Sequence, residues 1–189
     1  GDYLVIWTTT PWTLPGNTAI CVGPNLEYSR VLVNGKKYVV AADLLDSLKG
    51  EFGWENVEVI NNFYGTDLEY VKYKHPFMDR ISPVVLGDHV TLDAGSGLVH
   101  TAPSYGEDDF NVGKKYNLEM VFGVDDNGCL NAESGERFKG LFFEDANKEV
   151  VKYLDELGVL LKLKFITHSY PHDWRTKKPI IFRATAQWF

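Results

Sequence analysis

The chain has 189 residues, 44% hydrophobic and 14% aromatic, which is enough for one sizeable core and too few for two independent ones, so a single unit over 1–189 is expected. Its formal net charge of −7 excludes a general nucleic-acid coating protein, because phosphate neutralisation needs a basic surface. No apolar stretch reaches the length of a membrane span, the start GDYLVIW lacks the marks of a signal peptide, and Cys21 and Cys129 have no metal-like spacing; together these predict a soluble chain in the reducing cytoplasm, with a monomer as the default.

Residues 3–8, YLVIWT, read as a buried strand because β-branched and aromatic side chains dominate them. The strand runs into TTTPWTLPGN, where Pro11 pushes Thr10 towards an extended conformation and removes a backbone donor, so this segment is expected to leave the sheet as a stiff edge carrying hydroxyls. Its threonines and Trp12 suit a ribose, a base or a small polar ligand; an edge strand that uses threonine for β propensity alone accounts for them equally well. Residues 18–22 and 28–33 are further strands, and Asn34-Gly35 turns the second into residues 37–41 as a hairpin. Residues 43–49 place Leu44, Leu45 and Leu48 at helical spacing, with Gly50 as the stop. Residues 57–63, 69–74 and 84–92 are short strand candidates, and His75 and His89 among their turns read as packing or surface residues. So many short strands with local connections predict an α+β fold, with an antiparallel-rich mixed sheet or barrel flanked by a few helices.

The stretch GSGLVHTAPSYGEDDF, residues 95–110, organises the rest. Gly95 and Gly97 permit close approach or positive φ, Leu98 and Val99 form strand, and His100 sits near the strand's end before Pro103 stops it. Ser104 and Glu107 fit a capping box, which predicts a helix from Tyr105 whose first turns carry Glu107, Asp108 and Asp109. Residues 120–124 read as a strand turning at Asp125-Asp126-Asn127-Gly128, and residues 143–157 as the clearest amphipathic helix, with Gly158 as its stop. The tail from Lys162 onwards is basic, which fits a local phosphate contact or simply a solvated face. His168 and His172 are no metal pair, since Pro171 disfavours a shared helical face and no third ligand is near, so no metal and no cofactor is expected.

Gly95-Ser96-Gly97 lacks the third glycine of a dinucleotide fingerprint, no Walker lysine occurs, and nothing marks Ser104 as an activated nucleophile. What remains is a threonine-rich strand end, a histidine and an acid at a helix start, a set that can bind a cation, hold a nucleoside and position water without a protein nucleophile.

TTTPWTLPGN, GSGLVHTAPSYGEDD and YPHDWRTKKPIIFRATAQWF, in this order, closely resemble the editing insertion of class I isoleucyl-tRNA synthetases across essentially the whole chain. Thr10 and the Thr-Ala-Pro run resemble the isoleucyl branch more than the leucyl or valyl ones; Ser104 and Tyr105 depart from the Gly-His usual there. The resemblance implies hydrolysis of valine wrongly esterified to the tRNA for isoleucine, with action on valyl-adenylate as well, in a second pocket that excludes isoleucine. It implies Thr9, His100 and Asp109 as the catalytic set, and Thr8, Thr10, Trp12, Thr13, Asn17 and again Asp109 as substrate-binding residues, with Asp109 holding the α-ammonium. Consecutive helical residues diverge by about 100°, and a core position for Phe110 would turn Asp109 inward and Asp108 to water. The partners it implies are the 3′ end of the valine-charged tRNA and the remainder of a synthetase. The competing reading is a docking module for the acceptor end that hydrolyses nothing.

Overall fold

The computed structural model describes residues 2–93 and 95–163, together with the backbone of three strands between residues 166 and 187. β1 (Asp2–Thr8) is apolar on both faces, as a strand at the centre of a covered sheet must be: Leu4 and Ile6 enter one core cluster and Val5 another. β2 (Ala19–Val22) is likewise buried throughout, whereas β3 (Glu27–Val33) alternates in its second half and β4 (Lys36–Ala41) is buried from Tyr38 onwards; the two join through Asn34 and Gly35, both at positive φ. α1 (Leu45–Phe52) packs Leu45 and Leu48 over β3 and β4, and β5 (Glu58–Tyr64) pairs with β3 as an exposed outer strand. β6 (Lys72–Lys74), β7 (Ile81–Leu86) and β8 (Leu98–Thr101) follow, then α2 (Glu107–Tyr116), α3 (Phe143–Glu156) and β9 (Leu160–Leu163). β10 (Ile166–Tyr170) and β11 (Asp173–Lys177) form a separate hairpin, and β12 (Ile180–Gln187) returns to the main sheet.

Pairing closes on itself. β1 lies beside β8, β8 beside β2, β2 beside β7, β7 beside β6 and β6 beside β12, and β12 pairs along the whole of β1, completing a ring of six strands. β4, β3 and β5 extend as an arm from the first half of β1, which leaves its second half to pair with β8. Among the described strands, parallel pairing is confined to β1 with β4, β1 with β8 and β2 with β7, so the mixed, antiparallel-rich sheet expected from the sequence is what forms. The register that matters most is Trp7 opposite Val99 and Ile20 opposite His100, which sets the end of β1 beside the histidine. α3 covers the barrel with Ala146, Val150 and Leu154.

Five local expectations need correction. Residues 11–16 are a 3-10 turn rather than an extended edge: Pro11 starts it, where a missing N–H costs nothing, and the Thr13 N–H donates to Thr10 O at 3.0 Å. α1 passes through Gly50, whose surroundings are open, and stops at Gly53, φ +64, because Trp54 folds back to donate its N–H to Lys49 O. α2 begins at Glu107 with Gly106 as its cap; a turn closed by Tyr105 N–H to Ala102 O comes first, and Ser104 Oγ makes no hydrogen bond among the described residues. Residues 120–124 form only a bridge, Val124 to Leu130, beside the expected turn at Asp125–Gly128. The strands expected over 69–74 and 84–92 are β6 and β7, shorter or shifted, with β7 ending at Leu86 before Gly87. His172 and Pro171 lie outside the described residues, as does the side chain of His168.

Candidate functional site

Where β1 leaves the barrel, its last residues, the 3-10 turn, the end of β8 and the start of α2 enclose a cavity of about 240 Å³. Its lining consists of Trp7, Thr8, Thr9, Thr10, Thr13, His100, Ala102, Tyr105 and Asp109. The turn is what gathers the threonines. By folding back on itself after Pro11 it carries Thr13 Oγ1 to 3.3 Å from Thr10 Oγ1, which lies 3.4 Å from Thr8 Oγ1. Two side chains fasten that turn from below: the buried His75 donates its Nε2 proton to Leu14 O at 2.7 Å, and the half-buried Arg80 donates to Pro15 O and Asn17 O.

Thr13 Oγ1 sits 2.8 Å from His100 Nε2, a spacing that resembles a hydroxyl activated by a base. The proton order excludes that. Asn17 Nδ2 faces the Ala19 carbonyl at 3.0 Å, which only accepts, while the Tyr73 hydroxyl donates to Asn17 Oδ1. The second Nδ2 hydrogen therefore points at His100 Nδ1, 2.7 Å away, so Nδ1 accepts and the ring proton is on Nε2, donated to Thr13. Thr13 in turn donates to Thr10 O at 2.8 Å. His100 is thus neutral with both nitrogens engaged, and burial pushes its pKa down to about 4. Through Thr13 and Asn17 it ties the threonine turn to β8.

Asp109 is different. One carboxylate oxygen accepts the Ala102 N–H at 2.9 Å, yet burial still holds its pKa above the usual carboxylate value, opposed by that hydrogen bond and by His89 and reinforced by Asp108. None of the ion pairs found among the described residues involves it. A half-buried carboxylate on a cavity wall, paired with no cation among the described residues, can accept one. The reason it faces inward is its bond to Ala102 N–H; Phe110, expected in the core, is 42% exposed, and the inward residues of α2 are Val112 and Gly113.

Of the residues singled out in the sequence, Thr8, Thr9, Thr10, Thr13, His100 and Asp109 come together around the cavity. Trp12 and Asn17 do not line it. Trp12 packs against Tyr105 and Phe143, with its N–H bonded to Asn147 of α3, while Asn17 is buried behind His100. Trp7, Ala102 and Tyr105 line the cavity without having been singled out. For Tyr105 the available signal was its departure from the usual Gly-His. Among the described residues no group of three potential ligands is arranged to hold a metal. Nor is any helix among them long and apolar enough to cross a membrane.

No family model matches the chain. Among curated proteins it is 62% identical to isoleucine–tRNA ligase of Bacillus cereus (strain AH187) over 185 residues, 98% of this chain and 20% of that protein. The isoleucine–tRNA ligase of Bacillus cytotoxicus is 62% identical over 188 residues, covering the chain completely and again 20% of the relative. The chain thus spans about a fifth of the length of the relatives it matches. Among solved structures, the leucyl-tRNA synthetase domain GlLeuRS-CP1 superposes with a TM-score of 0.65 at 18% identity over 90% of this chain and 85% of that one. The Plasmodium falciparum cytosolic leucyl-tRNA synthetase editing domain gives 0.63 at 14% identity, over 79% and 75%.

Proposed function

This chain is homologous over its full length to a segment of isoleucine–tRNA ligase and has the fold of synthetase editing domains, and on that premise we propose that it hydrolyses valine wrongly esterified to the tRNA for isoleucine. The observation that carries the reading is Asp109, an acid facing a cavity lined by threonine hydroxyls with no cation paired to it among the described residues. An aminoacyl ester supplies the missing charge in its α-ammonium. The need for such a site is physical: one methylene changes binding in an apolar pocket by only about 1–3 kcal/mol, and isoleucyl-tRNA synthetase is itself the standard example of that limit. A second pocket that admits valine and excludes isoleucine multiplies the discrimination.

With the ammonium on Asp109, the ester carbonyl lies towards the Thr8, Thr9 and Thr10 end of the cavity and the terminal ribose towards its mouth. Water attacks the carbonyl carbon, the bond to the ribose oxygen breaks, that oxygen takes up a proton, and valine leaves. A carboxylate neutralised by an ammonium is a poor base, and His100 is already committed, so the water is activated by position and by the neighbouring ribose hydroxyl, with threonine hydroxyls steadying the oxyanion. No cofactor and no metal takes part. Valyl-adenylate presents the same ammonium and side chain and is a second substrate. The 3′ end of the tRNA is the partner, the rest of the synthetase holds the remaining tRNA, and the setting is the cytoplasm.

The test is deacylation of valyl-tRNA by the chain and by Asp109→Ala. A loss of about 100-fold or more in the variant is expected from removing a charge-assisted contact. Wild-type rates in Asp109→Ala would remove the assigned anchor, and binding of the charged end without any hydrolysis would point to the docking module instead.

A further inference from the structure

We propose that Tyr105 is the wall that measures the amino-acid side chain, a specificity-determining residue of the cavity; this rests on the hydrolytic reading above. Tyr105 lines the cavity four residues before Asp109, and Gly106 between them packs on that carboxylate, since a Cβ there would lie 3.2 Å from Asp109 Cγ. The side chain of a ligand whose ammonium meets Asp109 is accordingly assigned to the Tyr105 ring, which lines the same cavity.

A wall senses one methylene only if it cannot yield. The Tyr105 ring is held at both ends. Its flank meets Trp12 edge-on at 4.9 Å, and Trp12 is itself fixed by Phe143 at 5.5 Å and by Asn147, both on α3. Its hydroxyl accepts the Gly123 N–H at 2.9 Å. Gly16 makes the space: a Cβ there would sit 2.7 Å from Tyr105 Cε2, while one on Gly123 would sit 2.9 Å from the hydroxyl and closer still to Ser134 Oγ. Gly16 does not have positive φ, so backbone freedom does not explain it, while admission of the tyrosine does. The same ring thus ties the threonine turn, the 123–131 loop and α3 into one rigid side of the cavity.

The experiment is a calorimetric titration of the chain, and of Y105A, Y105L and Y105F, with valyl- and isoleucyl-adenosine in which an amide replaces the ester. Wild type is expected to bind the valyl analogue at least tenfold more tightly. In Y105A, or in Y105L if Y105A does not fold, the ratio falls to within about threefold through a gain in isoleucyl binding, whereas Y105F keeps the wild-type ratio because the ring and its clamps remain. Wild-type discrimination that persists in Y105A and Y105L would overturn the assignment of Tyr105 and leave the hydrolytic reading standing, as would a Y105F as indiscriminate as Y105A. Equal binding of both analogues by wild type, or binding of neither, would overturn the hydrolytic reading and this inference with it.

Discussion

The two sides of the cavity are built on opposite principles. On the threonine side nearly every polar group is answered within the protein: Tyr73 donates to Asn17, Asn17 to His100, His100 to Thr13 and Thr13 to the Thr10 carbonyl. On the α2 side a carboxylate stands in the cavity wall held by backbone N–H groups and paired with no cation among the described residues. The first arrangement fixes shape, because a satisfied buried network has one geometry. The second leaves a charge whose partner has to arrive from outside. The proposed function, accepting one small ligand and refusing a slightly larger one, calls for both, and they come from different elements of the fold.

The contrast is broken most severely by removing its charged half. Asp109→Ala is expected to lower deacylation by about 100-fold or more while leaving the fold intact, checked by single-turnover rates beside a thermal melt. Because burial raises the Asp109 pKa, its ionised form is a burden on the empty protein: the stability it contributes is complete below the ordinary carboxylate pKa and is lost as pH rises through the raised value. Asp109→Asn should therefore melt higher than wild type at pH 7, with the gain vanishing in acid.

The threonine side should respond to pH in the opposite sense. Burial pushes His100 down to about 4 and His75 to about 3, so the unfolded chain binds protons that the folded one refuses. Their stabilisation is complete above about pH 6.5 and falls as pH drops towards those values, by roughly 1.4 kcal/mol per pH unit for each histidine. Denaturant titrations between pH 7 and 5 would show that slope, and His75→Gln or His100→Gln should each flatten it. Tyr73→Phe, which deletes the first donor of the network and leaves Asn17 Oδ1 buried, is expected to cost about 1–3 kcal/mol in the same assay. The smallest effect belongs to Phe110→Ala: with its ring 42% exposed, the change should stay within about 0.5 kcal/mol, and a large loss there would mean that α2 packs differently.

Much of the architecture was legible because it is written in local chemistry. The apolar run of β1, the Asn34-Gly35 hairpin and the leucine and valine stripe of α3 each state their structure within a few residues. The closure of the sheet was not, since the pairing of β12 with β1 joins opposite ends of the chain and no local pattern encodes register. Among the site residues, Thr8, Thr10, Thr13, His100 and Asp109 could be grouped by resemblance, but whether each faces the cavity depended on a turn read as extended chain. Pro11 is compatible with both, and the hydrogen bond from Thr13 to Thr10 decides. Trp12 was misplaced for the same reason, because the turn swings its ring onto α3. Tyr105 stood out only as a departure from the usual Gly-His, because its packing against Gly16, far away in sequence, makes sense only in three dimensions.

The central claim is that Asp109 receives the α-ammonium of the bound amino acid, and the most direct test is a double comparison. Wild type and Asp109→Asn would each be titrated with the amide-linked valyl-adenosine and with its counterpart lacking the amino group. Loss of the amino group should weaken binding to wild type by about 100-fold and to Asp109→Asn hardly at all, since the two changes remove the same interaction. Equal losses in both proteins would place the ammonium elsewhere and contradict the account.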